Sequence, residues 1–126
     1  WSSDVCSSDL NTFSAMAIDV DTRAFRLSRG RGGLSGPGIH PIVVRMVHDV
    51  WRGVAKDANV PIIGLGGVCN WRDAAEFILA GATAVGVGTA LFIDPRAPRA
   101  IVDGLDAWVA RQGCRSVSEL VGMAKA

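Results

Sequence analysis

Apolar and polar residues follow one another along this chain in blocks whose lengths separate strands from helices. Residues 12–20, Thr-Phe-Ser-Ala-Met-Ala-Ile-Asp-Val, form a mostly apolar stretch running into acidic positions, which predicts a buried strand and its exit. From 21 to 33 the chain turns polar, with Arg23, Arg26, Arg29 and Arg31 beside three glycines, and an exposed connection with a solvated arginine face is expected. Gly36-Pro37-Gly38 then opens a helix in which Ile39, Val43, Met46 or Val47, Val50 and Val54 recur at steps of three and four, so one apolar stripe should face a core. Val60-Pro61-Ile62-Ile63-Gly64-Leu65, bounded by glycines, has the pattern of a strand buried on both faces of a parallel sheet. Asn70, with Asp73 three residues later, is placed to cap the next helix, whose inner face carries Ala74, Phe77 and Ile78 and which Gly81 stops. Ala84-Val85-Gly86-Val87-Gly88 repeats the short buried-strand pattern, with Thr89 directly after it. A long helix follows Pro95, with Ile101, Leu105, Trp108 and Val109 on one side, and Ser116 and Glu119 have capping-box spacing for a last short helix through Val121.

The predicted order is strand, helix, strand, helix, strand, helix, an alternation that implies parallel strands joined by right-handed crossovers. A doubly wound sheet and a segment of a (β/α)8 barrel both satisfy it. No Gly-x-Gly-x-x-Gly follows a strand and opens a helix with an acidic ribose ligand about 20 residues on, so the barrel is favoured. With 126 residues the chain is one domain at most, and it is shorter than the roughly 200–250 residues of a complete barrel.

Composition adds exclusions rather than assignments. Half of the residues are hydrophobic and a fifth charged, the balance of a globular protein, and a net charge of +1 without a basic stripe gives no reason to expect nucleic acid. No apolar run approaches the roughly 18 residues of a membrane span, and the first residues lack the basic-then-apolar order of a signal peptide, so a cytoplasmic location is the expectation. Cys6, Cys69 and Cys114 are odd in number and lack metal-ligand spacing, which predicts reduced thiols rather than a disulfide framework or a zinc site.

Residues 1–10, Trp-Ser-Ser-Asp-Val-Cys-Ser-Ser-Asp-Leu, compose a polar linker, but one back-translation of them, TGG AGT TCA GAC GTG TGC TCT TCC GAT CT, is similar to a widely used short-read sequencing adapter. They are therefore expected to be non-native, with the natural chain starting at Asn11 within a longer gene. Without Asp4 and Asp9 the remainder holds 13 basic and 10 acidic residues, a net charge of +3. Trp1 and Cys6 then drop out of every argument.

Three glycine-bearing stretches are expected at or just beyond strand ends: Gly32-Gly33-Leu34-Ser35-Gly36, Gly66-Gly67 and Gly88-Thr89. In a barrel such loops share the C-terminal face where ligands bind. Glycine permits close backbone approach and positive φ, and free N–H groups at a following helix start favour a phosphate. Each stretch alone is weak, since glycine also ends strands for steric reasons. Two on successive strands make a phosphate-bearing ligand the leading reading.

Asn11-Thr12-Phe13 with Met16-Ala17-Ile18-Asp19, Gly32-Gly33-Leu34-Ser35-Gly36-Pro37 with His40-Pro41, Pro61-Ile62-Ile63-Gly64-Leu65-Gly66-Gly67, and Val87-Gly88-Thr89-Ala90 stand in an order and spacing that resembles class 1B dihydroorotate dehydrogenases, across residues 11 to about 121. The resemblance implies an α/β fold, namely the C-terminal βα units, about three of eight, of an FMN-binding TIM barrel. It implies FMN-dependent oxidation of dihydroorotate to orotate in pyrimidine biosynthesis, with hydride passing from substrate C6 to flavin N5. Carried onto this chain, it makes Asn11 and Thr12 substrate contacts, Gly36 a flavin contact, and Gly66, Gly67, Gly88 and Thr89 the backbone cradle of the FMN phosphate. The flavin-touching residue before the Asn-Thr pair is replaced by Leu10 and is not assigned.

The family's catalytic base is a cysteine on a loop of the N-terminal half, with a lysine near the flavin there too, so no catalytic residue is assigned within this chain. Cys69 and Cys114 match no catalytic position and read as structural. His40 and His48 read as capping or surface residues. Asn70-Trp71 departs from a more usual serine-rich turn, and Arg29 and Arg31 stand where Asn and Thr are common in the family. The resemblance further implies an electron-transfer subunit carrying FAD and a two-iron two-sulfur cluster, electrons passed on to NAD, a homo- or hetero-oligomer, and neither nucleic acid nor membrane as partner. Two other readings remain at this point: a related pyrimidine-reducing flavoprotein domain, against which Met16-Ala17-Ile18-Asp19 and Leu34-Ser35-Gly36-Pro37 argue, and a non-catalytic piece that only binds phosphate or flavin.

Overall fold

Six short strands and a set of helices make up the α/β chain in a computed structural model that describes residues 13–125. Asn11, Thr12 and residues 1–10 lie outside the described residues. The chain divides between Ser35 and Gly36 into two units, each taken by itself below.

In the first unit, β1 (Phe13–Ala15) pairs antiparallel with β4 (Gly32–Leu34), Phe13 opposite Leu34 and Ala15 opposite Gly32. Between them β2 (Ile18–Asp19) pairs antiparallel with β3 (Ala24–Phe25). The single buried strand expected over 12–20 is thus two short ones, its side chains Met16, Ile18 and Val20 are exposed, and the expected open connection folds back as a hairpin. The partner of β1 is antiparallel, not the parallel neighbour that strict alternation implied. Local turn chemistry is the cause. The Asp19 carboxylate accepts the backbone N–H groups of Thr22 at 2.9 Å and Asp21 at 3.1 Å, Arg23 takes a left-handed φ of 57°, and the chain reverses. The Thr22 N–H and hydroxyl also hold the Asp19 carboxyl below the usual carboxylate range.

The second unit starts with a 3-10 turn at Pro37–Ile39 that leads into α1 (His40–Val50). A π turn follows at Trp51–Ala55, where the Lys56 N–H reaches back to the Trp51 carbonyl, and then α2 (Lys56–Ala58), ended by left-handed Asn59. Ile39, Val43 and Val47 are buried as the apolar stripe required, but Val50 and Val54 are 54% and 65% exposed. The π turn adds one residue to the helical circuit, so the inner face passes from Val47 through half-buried Trp51 to buried Ala55.

β5 (Ile63–Leu65) and β6 (Ala84–Gly86) are parallel neighbours, Ile63 opposite Ala84 and Leu65 opposite Gly86, connected through α3 (Trp71–Ala80). Asn70 caps α3 as expected: its side-chain oxygen accepts the Arg72 N–H at 2.8 Å while Asp73 accepts the Asn70 N–H at 3.0 Å. Gly81 closes α3 at φ 119°, where a Cβ would strike the Trp51 ring. Only one face of the pair is covered. Gly64 is buried, and a Cβ there would lie 2.7 Å from the Phe77 ring, whereas Ile63 and Leu65 on the opposite face are 62% and 46% exposed. Burial on both faces was expected; here the helices all lie on the Gly64 side.

α4 (Ala90–Ile93) and α5 (Ala97–Arg111) follow β6, and a 3-10 turn at Val117–Leu120 completes the unit. The core joins Ala75 and Ile78 of α3 to Trp108 and Val109 of α5 and to Leu120, with Trp71, Val85 and Leu105 packed around them. Trp71 seats on Gly104, since a Cβ there would overlap its ring. Glu119 accepts the Arg115 and Ser116 N–H groups at 3.0 and 3.2 Å, the acidic half of the capping box read from its spacing. The tail then ties down the end of α3, Gly122 and Ala124 donating to the carbonyls of Ile78 and Leu79.

Candidate functional site

Because β5 and β6 are parallel and in register, the turns that follow them, Gly66-Gly67 and Gly88-Thr89, leave the sheet at the same end. A cavity of about 240 Å³ lies between the chain after β5, at Cys69 and Asn70, and the helix after β6, at Ala90 and Ile93. The two turns differ in how tightly they are held.

Gly67 has φ 67°, and a Cβ on it would stand 2.6 Å from the Gly36 carbonyl oxygen, 2.9 Å from His40 Cβ and 3.1 Å from the His40 nitrogen. The turn is therefore seated against the start of the helix that follows Gly36, with no room for a side chain. Gly36, itself buried at φ 91°, sends its carbonyl to the Ile39 N–H at 3.2 Å. At Gly88, by contrast, a Cβ would meet nothing within 4 Å, so the backbone there is open. The carbonyls of Gly88 and Thr89 accept from Leu91 and Phe92 at 3.0 and 3.1 Å, which starts the short α4. N–H groups at such a helix start have no partner on the preceding turn.

Of the residues read from the sequence, Gly36, Gly66 and Gly67 are thus brought together directly, and Gly88 with Thr89 is placed at the end of the adjacent strand. Gly32 and Gly33 lie within β4 instead of in a turn. Cys69 is half-buried, its N–H bonded to Asp73 at 2.8 Å, and Cys114 is half-buried with its thiol 3.8 Å from the Gln112 carbonyl; both are free. Among the described residues no group of His, Cys, Asp and Glu could hold a metal ion, and no helix is long and apolar enough to cross a membrane. A larger cavity of about 620 Å³ opens between α5 and β6, lined chiefly by Ile78, Val85, Ile101, Leu105 and Val109, and none of the glycine turns reaches it.

His40 is where the sequence reading fell short. It is not a surface or capping residue but 8% exposed, with Nδ1 donating to the Gly66 carbonyl at 2.9 Å. Nε2 lies 3.3 Å from Glu76 Oε2 on α3 without the alignment of a hydrogen bond, and the ring meets Phe77 edge-on at 5.0 Å. The signal was in the spacing: His40, Val43 and Val47 sit at i, i+3 and i+7 on one stripe. His48 stacks over Trp51 at 6.4 Å, away from the turns.

Comparison with known proteins agrees with this arrangement. The family model described as dihydroorotate dehydrogenase matches residues 5–109. Over 113 residues the chain is 50% identical to the dihydroorotate dehydrogenase B (NAD(+)) catalytic subunit of Bacteroides fragilis, covering 90% of this chain and 36% of that protein. The catalytic subunit of the same name from Caldicellulosiruptor bescii is 50% identical over the same shares. The crystal structure of DHODH from Eimeria tenella in complex with ferulenol superposes with a TM-score of 0.68 at 27% identity, over 86% of this chain and 29% of that one. The chain thus spans about a third of the length of the curated relatives it matches. A family model that takes in most of the sequence, and glycine turns placed at the ends of paired parallel strands, lead to one conclusion: the chain belongs to the dihydroorotate dehydrogenase family.

Proposed function

We propose that this chain is the C-terminal part of an FMN-binding (β/α)8 barrel, and that the whole protein oxidises dihydroorotate to orotate as the catalytic subunit of a class 1B dihydroorotate dehydrogenase. The observation that carries the reading is the pair of glycine turns at one end of two hydrogen-bonded parallel strands, one too crowded for any Cβ and the other open. That is where a barrel holds a phosphate. The uncovered face of β5 and β6, carrying Ile63, Leu65, Ala84 and Gly86, fits the interior of a barrel whose remaining strands come from the rest of the protein.

In this reading Gly66, Gly67, Gly88 and Thr89 offer backbone N–H groups to the FMN phosphate, and Gly36 lies against the flavin. Asn11 and Thr12 hydrogen-bond the substrate, whose carboxylate and ring amides suit an amide and a hydroxyl. FMN, when bound, accepts the hydride from substrate C6. No residue of this chain takes the C5 proton; a base cysteine in the N-terminal half does so, and the chain alone is inactive. A second subunit with FAD and an iron-sulfur cluster, a cytoplasmic location and an oligomeric assembly belong to the same proposal.

The test is made on the full-length protein. It is expected to purify with FMN that is released on denaturation, and dihydroorotate added without oxygen should bleach the flavin, while uracil with a reduced nicotinamide should give no turnover. A protein that takes up no FMN, or that reduces uracil and ignores dihydroorotate, overturns the proposal.

A further inference from the structure

We infer that His40 is a positioning residue for the phosphate turn: it fixes the Gly66-Gly67 peptide so that its N–H groups point away from α1 and toward the anion. The inference deepens the proposed function and rests on it. Three observations converge. Nδ1 donates to the Gly66 carbonyl across 26 positions of sequence, which sets the plane of the Gly66-Gly67 peptide and hence the direction of the Gly67 N–H. The ring is clamped, 8% exposed and edge-on to fully buried Phe77, so the donor cannot swing away. Close packing of Gly67 against His40 Cβ and nitrogen leaves the turn no other seat.

The second ring nitrogen adds an anchor on α3, because Nε2 faces the Glu76 carboxylate at 3.3 Å. With Nδ1 committed to a carbonyl it must carry a proton, so Nε2 is left to accept, or when protonated to pair with Glu76. Either way one side chain ties the start of α1, the turn after β5 and the inner side of α3 together. The sheet itself supplies none of these bonds, since β5 ends at Leu65.

FMN and riboflavin distinguish this role from plain structural support, since they share the ring system and differ in the phosphate. In the full-length apoprotein, His40→Ala is expected to raise the FMN dissociation constant about tenfold, the worth of one well-placed hydrogen bond, and to change riboflavin affinity less than about twofold. His40→Asn, whose amide nitrogen overlays Nδ1, should restore FMN affinity to within about threefold of the parent. His40→Gln, which reaches the Nε2 position instead, should not. Equal weakening of both ligands, no weakening of either, or recovery by Gln but not by Asn overturns the inference. If His40→Ala does not fold, the Asn and Gln variants decide it by the same criterion. A parent protein that binds FMN no better than riboflavin would instead overturn the phosphate reading on which the inference stands.

Discussion

Gly67→Ala is expected to destabilise the protein by about 3 kcal/mol in the absence of any ligand, and to abolish tight FMN binding. About 1–2 kcal/mol comes from forcing an L side chain into the left-handed region at φ 67°. About 1–3 kcal/mol more comes from overpacking, because the new Cβ would stand 2.6 Å from the Gly36 carbonyl oxygen and 3.1 Å from the His40 nitrogen. Those are backbone atoms, which cannot rotate aside as the end of a side chain could. Either the turn lifts off α1, and its N–H groups lose their direction, or the start of α1 moves. Gly88→Ala is the control. Space is open around Gly88 and its φ is not positive, so a cost of no more than about 1 kcal/mol is expected there. Urea unfolding of the two apoproteins checks this, and equal shifts of the midpoint would contradict the close approach described for Gly67.

Phe77→Ala should cost about 3–5 kcal/mol, the range for emptying a phenylalanine site. Phe77 has no exposed surface, lies beneath Gly64 in the centre of β5, and meets the His40 ring. Its loss removes packing from the strand that carries the turn and from the side chain that holds it. Phe77→Leu keeps most of the volume and should cost less than about 1.5 kcal/mol. Coupling to the strand is testable as well. A Cβ on Gly64 would lie 2.7 Å from Phe77 Cγ, so Gly64→Ala should be harmful in the parent and much less so beside Phe77→Ala. Additive losses in that double-mutant cycle would show that ring and strand do not press on one another.

The βαβ unit was legible from the order of residues because each of its parts leaves a separate mark. Two short apolar runs with glycines became parallel strands, Asn70 and Asp73 at capping-box spacing became a cap, and Gly81 became the stop. Each signal is local, and tertiary packing reinforces it. Where local signals conflict with burial, reading failed. The polar stretch after Asp19 looked like open loop because its composition is that of a loop, yet an Asx turn and Arg23 in the left-handed region were enough to make a hairpin. Val50 and Val54 continued the stripe in sequence but not in space, since periodicity counted at 3.6 residues per turn cannot foresee a π turn. At the site, glycines marked the turns, and the resemblance gave them a ligand. His40 went unassigned because a histidine on an apolar stripe carries no sign of its partner, here a carbonyl 26 residues away.

That π turn also bears on how the gene can vary. Arg52, Gly53 and Val54 point outward, so the identity of each of these three is weakly constrained. Their number is not. Loss of a single codon there would let the helix run on with regular bonding and turn everything beyond it by about 100° relative to α1. Ala55 would leave the interior and Trp51 would lose its seat on Gly81 and Gly122. This stretch should therefore accept point substitutions freely across natural variants while rejecting indels, the reverse of what an exposed, glycine-bearing segment would suggest.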